Sequence, residues 1–156
     1  MSQRQQKGQL LAMTDAELNR FLESERTCRV ATVGSDGPHV TALWFLWDGT
    51  SIWLSSLVRS RRFANLRRDR RAALIVDAGC EFMELRGVEV TGCVEVVGEL
   101  PRAGEVSPCL EEVERQYSDK YLGGEIKELR AGTHAWLRLT PREIVSWDYR
   151  KLGATA

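Results

Sequence analysis

The sequence predicts a mainly β protein, a β-barrel of six to seven antiparallel strands with satellite helices. Short runs rich in β-branched and aromatic residues recur along the chain, each bounded by turn residues. Two glycines, Gly87 and Gly92, interrupt the longest of these runs, where a closed barrel needs sharp bending. Helical spacing of apolar residues appears only near the start, in the middle and late in the chain.

The first predicted element is a helix over Asp15 to Glu23. Thr14 and Glu17 have capping-box spacing, and Leu18, Phe21 and Leu22 form its apolar face. Cys28 to Val33 reads as a strand and Ser35-Asp36-Gly37-Pro38 as a turn. Pro38 has no N–H for a ladder, so the next strand is expected to begin at about His39. Val40 to Trp47 reads as one strand, Asp48-Gly49 as a hairpin signal, and Ser51 to Leu57 as the returning strand. These three runs are expected to form an antiparallel meander. A second helix is predicted over Arg61 to Arg68, with Ser60 as N-cap and Phe63 and Leu66 buried.

Ala72 to Val76 suits a strand buried on both faces, Asp77 to Glu84 a loop, and Leu85 to Val97 a long strand. Pro101 to Pro108 is a connection. Leu110, Val113, Tyr117 and Tyr121 mark an amphipathic helix that Gly123-Gly124 ends. Thr133 to Leu139 and Glu143 to Trp147 read as two further strands joined by Thr140-Pro141-Arg142. One domain is expected over 14–152, with residues 1–13 and Gly153 to Ala156 poorly ordered.

Lys plus Arg number 22 and Asp plus Glu number 22, so the formal net charge is zero. That balance argues against a protein built to coat nucleic acid or an anionic membrane. No stretch approaches the roughly 20 apolar residues that span a bilayer, and Met1 to Gln9 has no apolar signal-peptide core, so a cytoplasmic protein is expected. The four cysteines are scattered without a CxxC pair, which suits reduced thiols and no metal site. His39 and His134 stand alone.

The chemically informative stretch is Ser55 to Arg71. A strand ends at Ser55-Ser56, and Ser60-Arg61-Arg62 opens a helix after a short turn. Free N–H groups at a helix start attract phosphate, and two guanidiniums match its oxygens. Ser55, Ser56 and Ser60 add hydroxyls, and Asn65 follows one turn later. The same basic run also suits a solvated helix face. It suits nucleic acid less, because it lacks interleaved aromatics for base stacking. No catalytic triad, paired carboxylates or nucleophile is recognisable, and no catalytic residue is assigned.

The succession Arg29-Val30-Ala31-Thr32-Val33, Asp36-Gly37-Pro38-His39-Val40-Thr41, Leu43-Trp44-Phe45 and Ser60-Arg61-Arg62-x-x-Asn65-Leu66-Arg67-Arg68-Asp69 resembles the pyridoxamine 5′-phosphate oxidase-like superfamily. Leu85-Arg86-Gly87-Val88-Glu89-Val90-x-Gly92 and the ending Val145-Ser146-Trp147-Asp148-Tyr149-Arg150-Lys151-Leu152 are similar to its branch that uses the deazaflavin coenzyme F420. The resemblance covers about Leu18 to Leu152. It implies an FMN-binding split β-barrel and a homodimer with two cofactor sites at the subunit interface.

It further implies an F420-dependent oxidoreductase acting on a small organic acceptor. The alternatives are an FMN-dependent oxidoreductase and a non-catalytic protein that binds a cofactor or a haem-like tetrapyrrole. Ser60, Arg61, Arg62 and Asn65 would hold phosphate, with Arg62 standing where relatives carry Lys. Thr41, Ala42 and Leu43 would meet the ring edge, Trp44 would line the cavity, and Ser55 and Ser56 would bond the linker. Trp147 and Lys151 would reach the site of the other subunit. Arg86 suits a structural ion pair or, alternatively, a contact with the coenzyme tail. Thr41 occupies a region where pyridoxamine phosphate oxidases carry Arg, so vitamin B6 oxidation is not expected. The five tryptophans also suit core packing, since burying large rings dominates β-core stability.

Overall fold

A computed structural model describes residues 8–104 and 106–155. Of the N-terminal stretch expected to be poorly ordered, residues 1–7 lie outside the described residues, and residues 8–11 form a helical turn. Helix α1 (Asp15–Ser24) begins at the expected capping box. Thr14 accepts from Glu17 N, and the Glu17 carboxylate accepts from Thr14 N. Its buried residues Phe21 and Leu22 face the barrel.

Seven antiparallel strands follow: β1 (Thr27–Gly34), β2 (Gly37–Trp44), β3 (Leu46–Trp47), β4 (Ile52–Leu57), β5 (Arg71–Ala78), β6 (Arg86–Val97) and β7 (His134–Asp148). Their spatial order is β2-β1-β5-β6-β7-β4-β3. The expected meander is therefore only half correct. β1 pairs with β2 and β3 with β4, but the expected strand 40–47 breaks at Phe45, and its two halves lie at opposite edges of the sheet. Because those edges are consecutive in the chain, the sheet must curl toward closure.

The break has a physical cause. Phe45, Leu46 and Trp47 are all buried, which ends the alternation of inward and outward residues in β2. The Tyr121 hydroxyl donates to Phe45 O (2.6 Å) and lies 3.4 Å from Phe45 N, so a side chain takes over from the ladder there. β2 also starts at Gly37, earlier than expected. Pro38 is tolerated because β2 is an edge strand.

β7 is one strand where the sequence suggested two. It passes through Pro141 by a bulge opposite Thr91 and Gly92, leaving Arg142 as the extra residue. A Cβ on Gly92 would lie 2.1 Å from Thr140 O and 3.0 Å from its carbonyl carbon. Both are backbone atoms that cannot swing away. Gly92→Ala is therefore expected to destabilise the protein by about 2–3 kcal/mol, in the range of overpacking. Urea unfolding of the variant beside the parent protein measures this, and an unchanged midpoint would rule out the close approach.

β5 runs on to Ala78, into the expected loop, and a short 3₁₀ turn occupies Phe82–Glu84. β5 was expected to be buried on both faces. Ala72, Leu74 and Val76 point into the barrel, but Ala73 and Ile75 remain half-exposed outside. The end of the chain, expected to be disordered, forms a 3₁₀ helix over Tyr149–Thr155, with Ala156 outside the described residues.

Helix α2 (Arg61–Arg68) packs on β1 and β2, and helix α3 (Glu111–Tyr121) covers the outside of β3, β4 and β7. A barrel core of Phe21, Leu22, Val30, Phe45, Leu54, Leu74, Val88 and their neighbours is thus joined by a second cluster under α3, which includes Trp53, Tyr117 and Trp136. The three buried tryptophans have partners for their indole N–H groups: Asn19 for Trp47, Asp48 for Trp53 and Glu114 for Trp136. All four cysteines are free, and only Cys28 is buried. Among the described residues no helix is long and apolar enough to cross a membrane.

Candidate functional site

The site is built where β4 ends and α2 begins. Ser60 closes the turn: its hydroxyl donates to Leu57 O (2.8 Å) and accepts from Phe63 N (3.1 Å), as an N-cap does. The next two residues part company. Arg61 is exposed and bonds Asp36 in the β1–β2 turn. Arg62 points inward and is only 7% exposed. Four residues before the buried Leu66, it shares the inner face of the helix.

The Arg62 guanidinium donates from Nη1 to Thr41 Oγ1 on β2 (2.7 Å) and from Nη2 to Ser56 Oγ on β4 (3.1 Å). Its Nε is buried without a partner. Among the described residues no carboxylate lies within ion-pair distance of it. Burial lowers its pKa from the usual arginine value, yet an arginine remains charged. The nearby Cys28 thiol gives no compensation, because burial raises its pKa to about 12. A fixed, uncompensated cation with two hydroxyls beside it has the chemistry to receive an anion.

Strand alternation divides the other candidates. On β2, Thr41 and Leu43 lie on the inner side, while Ala42 and Trp44 face out. Trp44 is 43% exposed and stacks on Tyr121 at 4.6 Å and 9°. Arg26 lies 4.7 Å from the Tyr121 ring. On β4, Ser56 is buried on the Arg62 side, and Ser55 is half-buried on the opposite face. Asn65 is buried with its Nδ2 donating to Thr32 Oγ1 (3.0 Å), so its amide ties α2 to β1.

Trp147 and Lys151 are engaged within their own chain. The Trp147 ring covers Gly87 on β6, 2.5 Å from where a Cβ would stand. Lys151 Nζ donates to Ala12 O and the Glu17 carboxylate, both at 2.7 Å. The Lys151 bond and the Thr14 amide hold the Glu17 carboxyl at about 2. Arg86 lies 3.8 Å from Glu25 and 5.5 Å from the centre of the Phe21 ring.

The fold thus brings Thr41, Ser56 and Arg62 together, with Ser60 and Asn65 supporting them, and turns Ala42, Trp44 and Ser55 to the outer face. The sequence reading missed Asp36 as the partner of Arg61 and Tyr121 as the partner of Trp44, with Lys120 beside the Tyr121 ring. Lys120 Nζ sits 4.8 Å from the Phe45 ring and donates to Glu25 O (2.6 Å), and burial lowers its pKa to about 8. The one available signal was Tyr121, already marked as part of a helix face.

Comparison with known proteins agrees with this architecture. Residues 14–148 match the family profile described as pyridoxamine 5′-phosphate oxidase. A conserved hypothetical protein from Mycobacterium tuberculosis is 34% identical, with 92% of this chain and 89% of that one covered and a TM-score of 0.78. A solved structure described as an F420 reductase is 25% identical, with 81% and 94% covered and a TM-score of 0.60. The heme storage protein HutZ from Vibrio cholerae shares the fold at 17% identity, with 85% and 95% covered and a TM-score of 0.69. No curated protein matches the chain. The profile match spans most of the sequence, and the chain belongs to the pyridoxamine 5′-phosphate oxidase family.

Proposed function

We propose that the chain is an F420-dependent oxidoreductase that reduces a small organic acceptor, with FMN as the alternative cofactor. The observation that carries the reading is Arg62, a buried guanidinium with an unpartnered Nε and no carboxylate beside it. Both cofactors present a phosphate group, and Arg62, Thr41 and Ser56 are the residues that would hold it. The family assignment and the 25% identical F420 reductase support the same reading.

When bound, the cofactor would supply hydride transfer, so the chain needs to position the ring and exclude water. Because β2 is an edge strand, a cofactor held at Arg62 on its inner side would pass that edge to bring its ring against Ala42 and Trp44 on the outer side. The Tyr121 stack holds Trp44 in one orientation. We further propose a homodimer with cofactor sites at the subunit interface. The outer face of β2, β1 and β5 supports it: Val33, Val40 and Trp44 are exposed there beside Ala31, Ala73 and Ile75.

Titration of the purified protein with F420, FMN and haem, followed by absorbance and fluorescence, tests the cofactor. The expected order is F420 tightest, FMN weaker, and haem not bound at the same site. Haem binding alone, or no binding of F420 and FMN, would end the reading.

A further inference from the structure

Beside α2 the structure holds a cleft whose lining includes none of Arg62, Thr41 and Ser56. It opens between α2 and strands β6 and β7 and has a volume of about 320 Å³. That is within the range of small-molecule pockets, roughly 300–1,000 Å³. Its floor is apolar: Phe63 and Leu66 from the helix, Val94 and Val96 from β6, and Leu137 from β7.

The rim is charged. Arg67 and Arg70 line it, and neither guanidinium has a hydrogen-bond or ion-pair partner among the described residues. Val94 N donates to Arg70 O (2.8 Å), which fixes the Arg70 backbone over the end of the cleft. Glu95 also lines the rim, but Arg138 pairs with its carboxylate, so Glu95 does not neutralise the two arginines. Two uncompensated cations therefore stand over a floor of aliphatic and aromatic carbon.

We propose that this cleft binds a small amphipathic organic anion, with an acyl or aryl body on Phe63, Leu66, Val94 and Val96 and a carboxylate or phosphate head between Arg67 and Arg70. The complementarity is twofold. Two guanidinium forks suit a planar or tetrahedral oxyanion. The apolar floor gains from covering, whereas a free inorganic anion would leave it wet. Arg62, Thr41 and Ser56 do not line the cleft, so the two sites would fill independently. The inference does not depend on the cofactor reading.

The test is calorimetric titration of the full chain with octanoate, octyl phosphate, octanol and acetate, with and without saturating FMN. Octanoate and octyl phosphate are expected to bind at one site per chain, at least ~10-fold more tightly than octanol or acetate, a difference of about 1.4 kcal/mol. Higher salt should weaken them, since the arginines are exposed. Arg67→Gln/Arg70→Gln, a surface change that leaves the core intact, is expected to weaken octanoate at least ~10-fold while octanol stays as before. Val96→Trp should reduce octanoate binding by filling the cleft. Equal binding of octanol, unchanged binding in the double variant, displacement of octanoate by FMN, or no binding of either anion would each overturn the proposal.

Discussion

Arg62→Met is expected to weaken binding of F420 or FMN by about 30- to 1,000-fold and to change the stability of the cofactor-free protein by no more than about 1 kcal/mol. The two effects separate because Arg62 has no carboxylate partner. Removing one member of a buried ion pair strands the other charge, but here nothing charged is stranded. The variant loses a buried guanidinium that the fold itself does not neutralise, and it leaves the Thr41 and Ser56 hydroxyls without their donor. The first change favours folding and the second opposes it by about 1 kcal/mol per hydroxyl. Binding has no such compensation. A buried charge-assisted contact to an anion contributes roughly 2–4 kcal/mol, and each 1.4 kcal/mol is tenfold in affinity. Isothermal titration and thermal denaturation of the same preparation measure both. Arg62→Lys should fall between, since it keeps the charge and loses the planar fork. Cofactor affinity unchanged in Arg62→Met would remove Arg62 from the site.

The second large effect concerns the packing that holds the outer face in place. Glu114 on α3 is fully buried and accepts from Arg102 Nε (2.7 Å), Arg130 Nη2 (2.7 Å) and Trp136 Nε1 (3.2 Å). Arg102 is fully buried as well and also bonds Glu99. This one carboxylate joins α3, the loop around Arg102, the 3₁₀ turn Lys127–Arg130 and β7. Glu114→Gln is expected to cost about 3–5 kcal/mol, the usual penalty for leaving buried charges uncompensated. Replacing Glu114, Arg102 and Arg130 together by Leu, Met and Met should recover most of that loss.

The pH dependence follows from the same geometry. Burial raises the Glu114 pKa, but the Arg102 and Arg130 hydrogen bonds outweigh it, and the net shift is downward. A carboxyl with a lowered folded-state pKa contributes stability that is fully present above its unfolded value, near 4.3 for Glu. The contribution fades as pH falls through the folded value. The stability gap between the parent protein and Glu114→Gln should therefore be constant from pH 7 to about 5 and narrow below about pH 4. Urea unfolding across that range measures the gap, and a gap that widens toward acid would contradict the assignment.

Much of the local structure was legible because its signals are local. The Thr14–Glu17 box, the Ser60 cap with Phe63 and Leu66 behind it, and the Asp48-Gly49 hairpin all depend on residues within a few positions of one another. The break at Phe45 was not legible, because the hydroxyl that bonds its backbone comes from Tyr121, far along the chain. Pro141 looked like a strand boundary because the sequence does not reveal that Gly92 faces it and absorbs a bulge.

The candidate site shows the same division. Both Arg61 and Arg62 stand at a helix start, and both suited phosphate. The spacing from Arg62 to Leu66 was a readable sign of which one turns inward, whereas the Asp36 partner of Arg61 required the folded hairpin. Alternation along β2 was readable, but which of Thr41 and Ala42 faces inward depends on the register between β1 and β2 and on α2 behind them. Lys151 and Trp147 carried family-like spacing, yet their contacts with Glu17 and Gly87 are set by strand pairing and the docking of α1.

The central claim is that the Arg62 guanidinium receives the cofactor phosphate. A crystal structure of the protein grown with F420, and a second with FMN, tests it most directly. The account predicts a phosphate oxygen within hydrogen-bond distance of Arg62, with Thr41 or Ser56 donating beside it. A cofactor phosphate held elsewhere, with Arg62 still bonded only to Thr41 and Ser56, would contradict it.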